Sequence, residues 1–390
     1  MILFSECLMG NSSQTLLIGP LPKRPEGLSI AFEVVVSGFI NRRLAHKVIN
    51  TQSEDVSRQV GTFSFKRAME IAGVLLRYWW NLLPSRQIYL LIGFSRVSFF
   101  RDFLIIWPAY WLWRRIVLHV HTGGYRTFFD EQPIWLKKII SATLMRADAI
   151  VVLGELLREQ FNFLSCAEEK LVVVPNCAPI EVTEVSAKPK KYNKAEPIKI
   201  LYMSNLIESK GYLDCLEACR ILHHERKVPV SMFFCGGVIP HRLGSGDKQA
   251  KELLDYFLNQ IHRMDLVGIA EYCGVVNGDK KYKYLCESHV FILPTYYPWE
   301  GQPVSIIEAL SFGIPVIATR FRGIPEQVID NYNGFLVEPH NPVEIADRVE
   351  VLVTEPNLYS LMSANAIQHF KQNFTRQRHL SSMIPIILGD

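Results

Sequence analysis

The stretch VFILPTYYPWEGQPVSIIEALSFGIPVIAT, Val290 to Thr319, decides the fold. It opens on an apolar run, Val290 to Leu293, short enough for a buried strand and closed by Pro294. The loop from Thr295 to Gly301 holds three aromatics and a lone acid, Glu300. Pro303 falls where a first helical position belongs, ahead of SIIEALSF, and Gly313 and Pro315 stop that helix. Val316 to Ala318 then reads as the next strand. The order is strand, loop, helix, strand, with Glu300 on the loop and Glu308 about two turns into the helix. A helix rising about 1.5 Å per residue sets two such carboxylates at different depths along one wall of a cleft.

Working outward, Ile198 to Met203 is a strand that runs through SNLIESKG into a helix, which puts Lys210 near a helix N-terminus where amides and dipole favour an anion. Toward the N-terminus, strand and helix signals alternate. Thr15 to Ile18 is a first strand ending in GPLPKRPEGLS, with a helix from about Ile30. Lys47 to Asn50, a helix through Arg67–Trp80, and Ile88 to Ile92 follow. The strand Ile116 to Val120 leads into His121, Thr122, Gly123 and Gly124; His119 and His121, two apart, share one face. Ala149 to Leu153 and Leu171 to Val174 complete a first α/β half, the latter meeting Pro175–Asn176. Thr183 to Pro197, charged and carrying two prolines, reads as an interdomain linker. In the second half, Val230 to Cys235, Glu271 to Val276 and Phe335 to Val337 are strands; Gln249 to Met264, Tyr282 to Ser288 and Pro342 to Val353 are helices. His241 to Lys248, with a Gly-x-Gly, reads as a mobile surface loop, and His223–His224–Glu225 as surface.

The central stretch resembles the donor-site signature of the family 4 glycosyltransferases, an E-x7-E motif on a GT-B fold, here Glu300 to Glu308 with Gly301, Ala309, Gly313 and Pro315 around it. The resemblance implies an α/β chain of two Rossmann-like doubly wound domains facing each other across a cleft. The expected division is 1–188 for the acceptor-side domain, joined by a returning C-terminal helix at about 374–390, and 189–373 for the donor domain. It also implies roles. Glu308 would accept bonds from the donor ribose, and Glu300 from the donor sugar. Gly301, Gln302, Pro303 and Val304 would touch sugar or phosphate through the backbone, and Val275, beside Gly274, would face the base. Lys210 would meet the charge building on the leaving diphosphate. Gly27 would approach phosphate and acceptor, and His121 would hydrogen-bond the sugar rather than act as a nucleophile. In the family pattern G-R-L-x-x-x-K-G, this chain keeps Leu206, Lys210 and Gly211 but has Ser204 and Asn205 in place of Gly and Arg. A neutral amide cannot pair bidentately with phosphate as arginine does. Either Lys210 and the helix dipole suffice, or Arg320 or Arg322 helps, or Asn205 is a turn residue. Cys177 stands where V-x-P-N-G has its glycine.

Length and composition agree with two globular domains: 390 residues, 49% hydrophobic and 21% charged. No apolar stretch reaches the roughly 18 residues a spanning helix needs, and MILFSECLMGNSSQ lacks the basic n-region of a signal peptide. That places the chain in the cytoplasm, with contact at the inner face of a membrane left open. Residues 1–190 carry 22 Lys+Arg against 16 Asp+Glu, the remainder 20 against 22. A basic first half suits an anionic membrane or substrate, and equally a solvated surface. The aromatic-basic segments Arg77–Trp80 and Phe99–Arg115 fit interfacial contact or a buried core. No nucleic-acid-binding module is present. The eight cysteines contain no C-x2-C pair and read as buried reduced thiols.

No D-x-D, H-E-x-x-H, Walker A or strand-adjacent G-x-G-x-x-G occurs, which argues against a metalloenzyme, an ATPase and a dehydrogenase. The expected activity is transfer of a sugar, with retention and without a metal, from a UDP- or GDP-linked donor to a hydroxyl of an acceptor glycan or lipid-linked sugar. Polysaccharide or lipopolysaccharide assembly is the expected setting. A sugar-nucleotide epimerase on the same fold and a non-catalytic sugar-nucleotide-binding subunit remain the competing readings.

Overall fold

The computed structural model describes residues 14–21, 27–52, 65–165, 168–179, 188–239 and 247–390. The leader, residues 22–26 of the Gly-Pro loop, Cys7, Cys166, residues 183–187 of the linker and residues 241–246 of the Gly-x-Gly stretch lie outside them.

The apolar runs of the first half make six parallel strands: β1 (Gln14–Gly19), β2 (His46–Asn50), β3 (Ser85–Leu91), β4 (Arg115–His119), β5 (Ala149–Val152) and β6 (Leu171–Val173). They pair in the order β2-β1-β3-β4-β5-β6. Side chains alternate across this sheet. Leu17, Tyr89, Val117 and Val151 face helix α1 (Gly27–Asn41), while Leu16, Ile18, Leu90 and Leu118 face the opposite layer. That second layer is α2 (Phe65–Leu82), α3 (Arg96–Trp111), α4 (Tyr125–Asp130) and α5 (Ile134–Leu144).

The second sheet contains β7 (Ile198–Met203), β8 (Val230–Cys235), β9 (Ala270–Gly274), β10 (Val290–Leu293), β11 (Val316–Thr319) and β12 (Gly334–Val337), all parallel, in the order β12-β11-β10-β7-β8-β9. Its helices are α6 (Tyr212–Arg220), α7 (Asp247–Arg263), α8 (Gly278–Glu287), α9 (Val304–Ser311), α10 (Pro342–Thr354) and α11 (Pro356–Asn373). The last helix, α12 (Arg376–Leu388), returns to the first domain, where Leu380, Met383, Ile384 and Ile387 join the α1 face of its core.

Four expectations need correction. Pro303 is the residue before α9, extended at φ −57° and ψ 119°, so Glu308 lies little more than one turn into the helix. The helices α3, α4, α5 and α11 had no counterpart in the sequence reading. Residues 188–197 are docked onto the second domain: the Lys190 ammonium donates to the carbonyls of Leu285, Cys286 and Ser288, each at 2.7 Å, and Tyr192 joins the second core. Cys177, Cys215, Cys219 and Cys235 are buried, but Cys286 is exposed.

Candidate active site

Strand order determines where the site lies. In each sheet the order reverses once, between β1 and β3 and between β7 and β10, and the loops leaving the strands there diverge to open a crevice. The loop after β7 carries Asn205 and Lys210; the loop after β10 carries Glu300 to Pro303. The two sheets turn these carboxyl ends toward each other. Gly123 sits so close to the Glu300 carbonyl that a Cβ would stand 2.1 Å from the oxygen, and Thr122 Oγ1 donates to the Trp299 carbonyl at 3.1 Å.

The structure brings Lys210 and Glu300 together. Lys210 ends a 3-10 turn, and Gly211 follows at φ 75°, where a side chain would strike the Pro294 carbonyl. Lys210 Nζ donates to Glu300 Oε2 at 2.5 Å and lies over the Tyr297 ring; Thr295 Oγ1 donates to the same oxygen at 3.0 Å. Glu308 has its own cation. Burial pushes its carboxyl above the usual range, and the ammonium of Lys281, donating to Oε1 at 2.5 Å, pulls it back. Sequence reasoning missed Lys281. Its signal was a lysine one helical turn before Leu285, the buried residue of α8, and so on the inward face of that helix.

Gly27 opens α1, and a Cβ there would lie 4.0 Å from Val304, so it faces the start of α9 across the cleft. Asn205 Oδ1 accepts from the Gly237 amide at 3.2 Å, and Val275, exposed, borders Gly237. The carboxamide of Asn205 thus braces a turn, and of the two candidate substitutes Arg320 reaches Asp330 instead. Arg322 lies at the domain junction against Gly123, its Nε buried without a partner. Gln302 is spent on the other domain: its Oε1 accepts from the Asn176 amide at 2.8 Å, and its carbonyl from Asn176 Nδ2 at 3.0 Å.

His121 belongs to a cluster. Its Nε2 is 3.3 Å from His119 Nδ1, which also lies 2.6 Å from the Tyr89 hydroxyl; His379 of α12 stands beside them. Burial pushes all three imidazoles toward the neutral form, His121 down to about 3. A neutral ring at the cleft wall donates or accepts a hydrogen bond without carrying charge.

Residues 184–369 match the family model described as Glycosyl transferases group 1. Similar curated proteins include the amylovoran biosynthesis glycosyltransferase AmsK of Erwinia amylovora, 27% identical over 57% of this chain and 48% of AmsK. The putative colanic acid biosynthesis glycosyltransferase WcaL of Escherichia coli is 27% identical over 52% of this chain and 47% of WcaL. The chain thus spans about half the length of these relatives. Among solved structures, HepE of Anabaena in complex with UDP and glucose superposes with a TM-score of 0.71 at 14% identity, over 97% of this chain and 100% of that one. A glycosyltransferase of Rickettsia africae superposes with the same TM-score at 16% identity, over 97% and 99%. The fold is GT-B.

Proposed function

We propose, from the premise that residues 184–369 are a group 1 glycosyl transferase domain, that this chain moves a sugar from a nucleotide-diphosphate sugar to an acceptor hydroxyl in polysaccharide or glycolipid assembly. One observation carries the reading: at the switch point of the second sheet, two buried carboxylates, Glu300 and Glu308, are each held by a lysine. Neutral donor hydroxyls can enter such pairs and be oriented by them, whereas an unpaired buried carboxylate would repel a diphosphate.

In this reading Glu308 takes the ribose hydroxyls and Glu300 those of the sugar. Lys210, freed from Glu300 by the entering sugar, turns to the diphosphate, where its charge grows in value as the leaving group departs. The free amides at the start of α9 add to it, which offsets the neutral Asn205. Transfer retains configuration, the departing phosphate assisting the incoming hydroxyl on the same face, with His121 bonding the sugar. Because lysine and backbone amides meet the phosphate charge, a chelator leaves turnover unchanged. UDP is the favoured nucleotide, since the related fold of HepE is known with UDP and with UDP-glucose. The acceptor is a glycan or a lipid-linked sugar, and the chain works against the inner face of a membrane.

The test is thermal stabilisation by a panel of sugar nucleotides, with Glu308→Ala and Lys210→Ala alongside. A shift in the wild type that is abolished in both variants is expected; one that persists unchanged in both overturns the site. Nucleotide release that requires acceptor marks a transferase, a new sugar-nucleotide isomer an epimerase, and binding with neither product a binding subunit.

A further inference from the structure

Two neighbouring helices on the outside of the first domain carry apolar stripes that nothing among the described residues covers. On α2, Val74, Tyr78 and Leu82 face the sheet, while Leu76, Trp80 and, just past the helix end, Leu83 stand in solvent. On α3, Phe100, Leu104 and Trp111 recur at helical spacing on the outer side, opposite Ile105, Ile106 and Ala109. The helices pack side by side, and the Arg114 guanidinium donates to the Leu83 carbonyl at 2.9 Å, tying their C-terminal ends together. The stripes therefore make one face. Its tryptophans are unusually bare: Trp80 is 86% exposed, and Trp113, in the turn after α3, 91%. Trp113 also holds φ at 54°, a left-handed conformation that bulky residues rarely adopt.

The charge around this face is predominantly basic. Between residues 68 and 115 the acids are Glu70 and Asp102, and Asp102 is buried against Arg101. Arg77 and Arg86 are exposed. The face also reaches the cleft: α3 begins just after Phe94, whose ring stacks on Trp299 of the Glu300 loop at 4.9 Å.

We propose that the α2–α3 face lies in the headgroup layer of an anionic phospholipid bilayer. The indoles sit at the level where tryptophan is favoured, and Arg77 and Arg86 reach lipid phosphates. The contact is interfacial, since no helix among the described residues is long and apolar enough to cross a membrane. A second copy of the chain fits less well, because a two-fold contact through this face would set the same arginines against each other. The inference deepens the reading above by naming the lipid partner of a cleft that takes a lipid-linked acceptor. It rests on that reading only for the acceptor.

The test is cosedimentation of the full chain with phosphatidylcholine vesicles and with phosphatidylcholine–phosphatidylglycerol vesicles, without sugar nucleotide. Binding to the anionic vesicles that weakens as salt is raised is expected. The combined variant Trp80→Ser, Trp111→Ser, Trp113→Ser should bind about tenfold or more weakly, from the apolar area it withdraws, and Arg77→Gln with Arg86→Gln should lose the preference for anionic lipid. Should the tryptophan variant fold poorly, quenching of wild-type tryptophan fluorescence by brominated lipid reads the same contact. No binding to either vesicle, equal binding by the tryptophan variant, no quenching, or a wild-type dimer that the variant dissociates would each overturn the proposal. Glu308→Ala should sediment as the wild type does, so failure of the donor site and failure of the membrane face are told apart.

Discussion

Glu308 and Lys281 show how a site residue depends on a partner far away in sequence. Burial raises the pKa of the Glu308 carboxyl, and Lys281 opposes this through a 2.5 Å contact. Lys281→Met removes the one influence that lowers that pKa, so the carboxyl titrates at higher pH. In the proposed role, an ionised Glu308 is the better acceptor for ribose hydroxyls. Nucleotide affinity of the variant should therefore fall as pH is lowered, over a range where the wild type still binds, a difference calorimetry at several pH values would detect. At neutral pH the variant should also lose about 1–3 kcal/mol of folding stability, the usual cost of leaving a buried polar group without its partner, seen as a lower thermal midpoint. Asn205 teaches the converse. Its carboxamide is satisfied by Gly237, so the missing arginine has been answered by a structural bond and not by a second cation at that position.

Among elements, α9 and α12 differ in how visible they were. Pro303, SIIEALS and Gly313 announce α9 locally, and the error was confined to its first turn, where Pro303 keeps an extended ψ and stays outside. The end of α12 is helical despite Pro385, and its partner is found only by folding. Leu380 packs so tightly on α1 that a Cβ at Gly38 would come within 2.5 Å of it. Gly38→Val should accordingly destabilise the first domain by about 1–3 kcal/mol through overpacking, seen as a lower thermal midpoint. A Leu380→Ala change in the same chain should recover part of it. The α11 helix escaped notice because its buried residues, Tyr359, Met362, Ser363, Ala366, Ile367 and Phe370, mix small and polar groups into the apolar face. Ser363 is there to hold backbone, receiving the Lys190 amide and donating to the Gly313 carbonyl.

For the molecule as a whole, the contacts across the cleft set how the halves meet. Glu326, in the loop after β11, accepts from the amides of Glu155 at 2.9 Å and Leu156 at 2.6 Å in the other domain. Asn176 and Gln302 make a second pair of bonds across the junction. Glu326→Ala leaves two amides unpaired and should favour a more open arrangement, costing about 1 kcal/mol of closure. The expected result is a larger radius of gyration by small-angle scattering and a donor KM raised about fivefold, with the thermal midpoint little changed. An unaltered KM and radius would mean that the remaining junction contacts, Asn176–Gln302 and Thr122–Trp299 among them, hold the halves without Glu326.

The order of strands, the two α/β halves, the Glu300–Glu308 spacing and the place of Lys210 were legible in the sequence, because each rests on local period, turn chemistry or short-range spacing. The pairing of Lys210 with Glu300, Lys281 beneath Glu308, the histidine cluster built with α12, the clasp at Glu326 and the exposure of Trp80 and Trp113 were decided by tertiary structure. Each joins residues from separate elements or depends on what covers a helix face. A one-dimensional pattern records which residues can be buried or paired, and only packing selects which of them are.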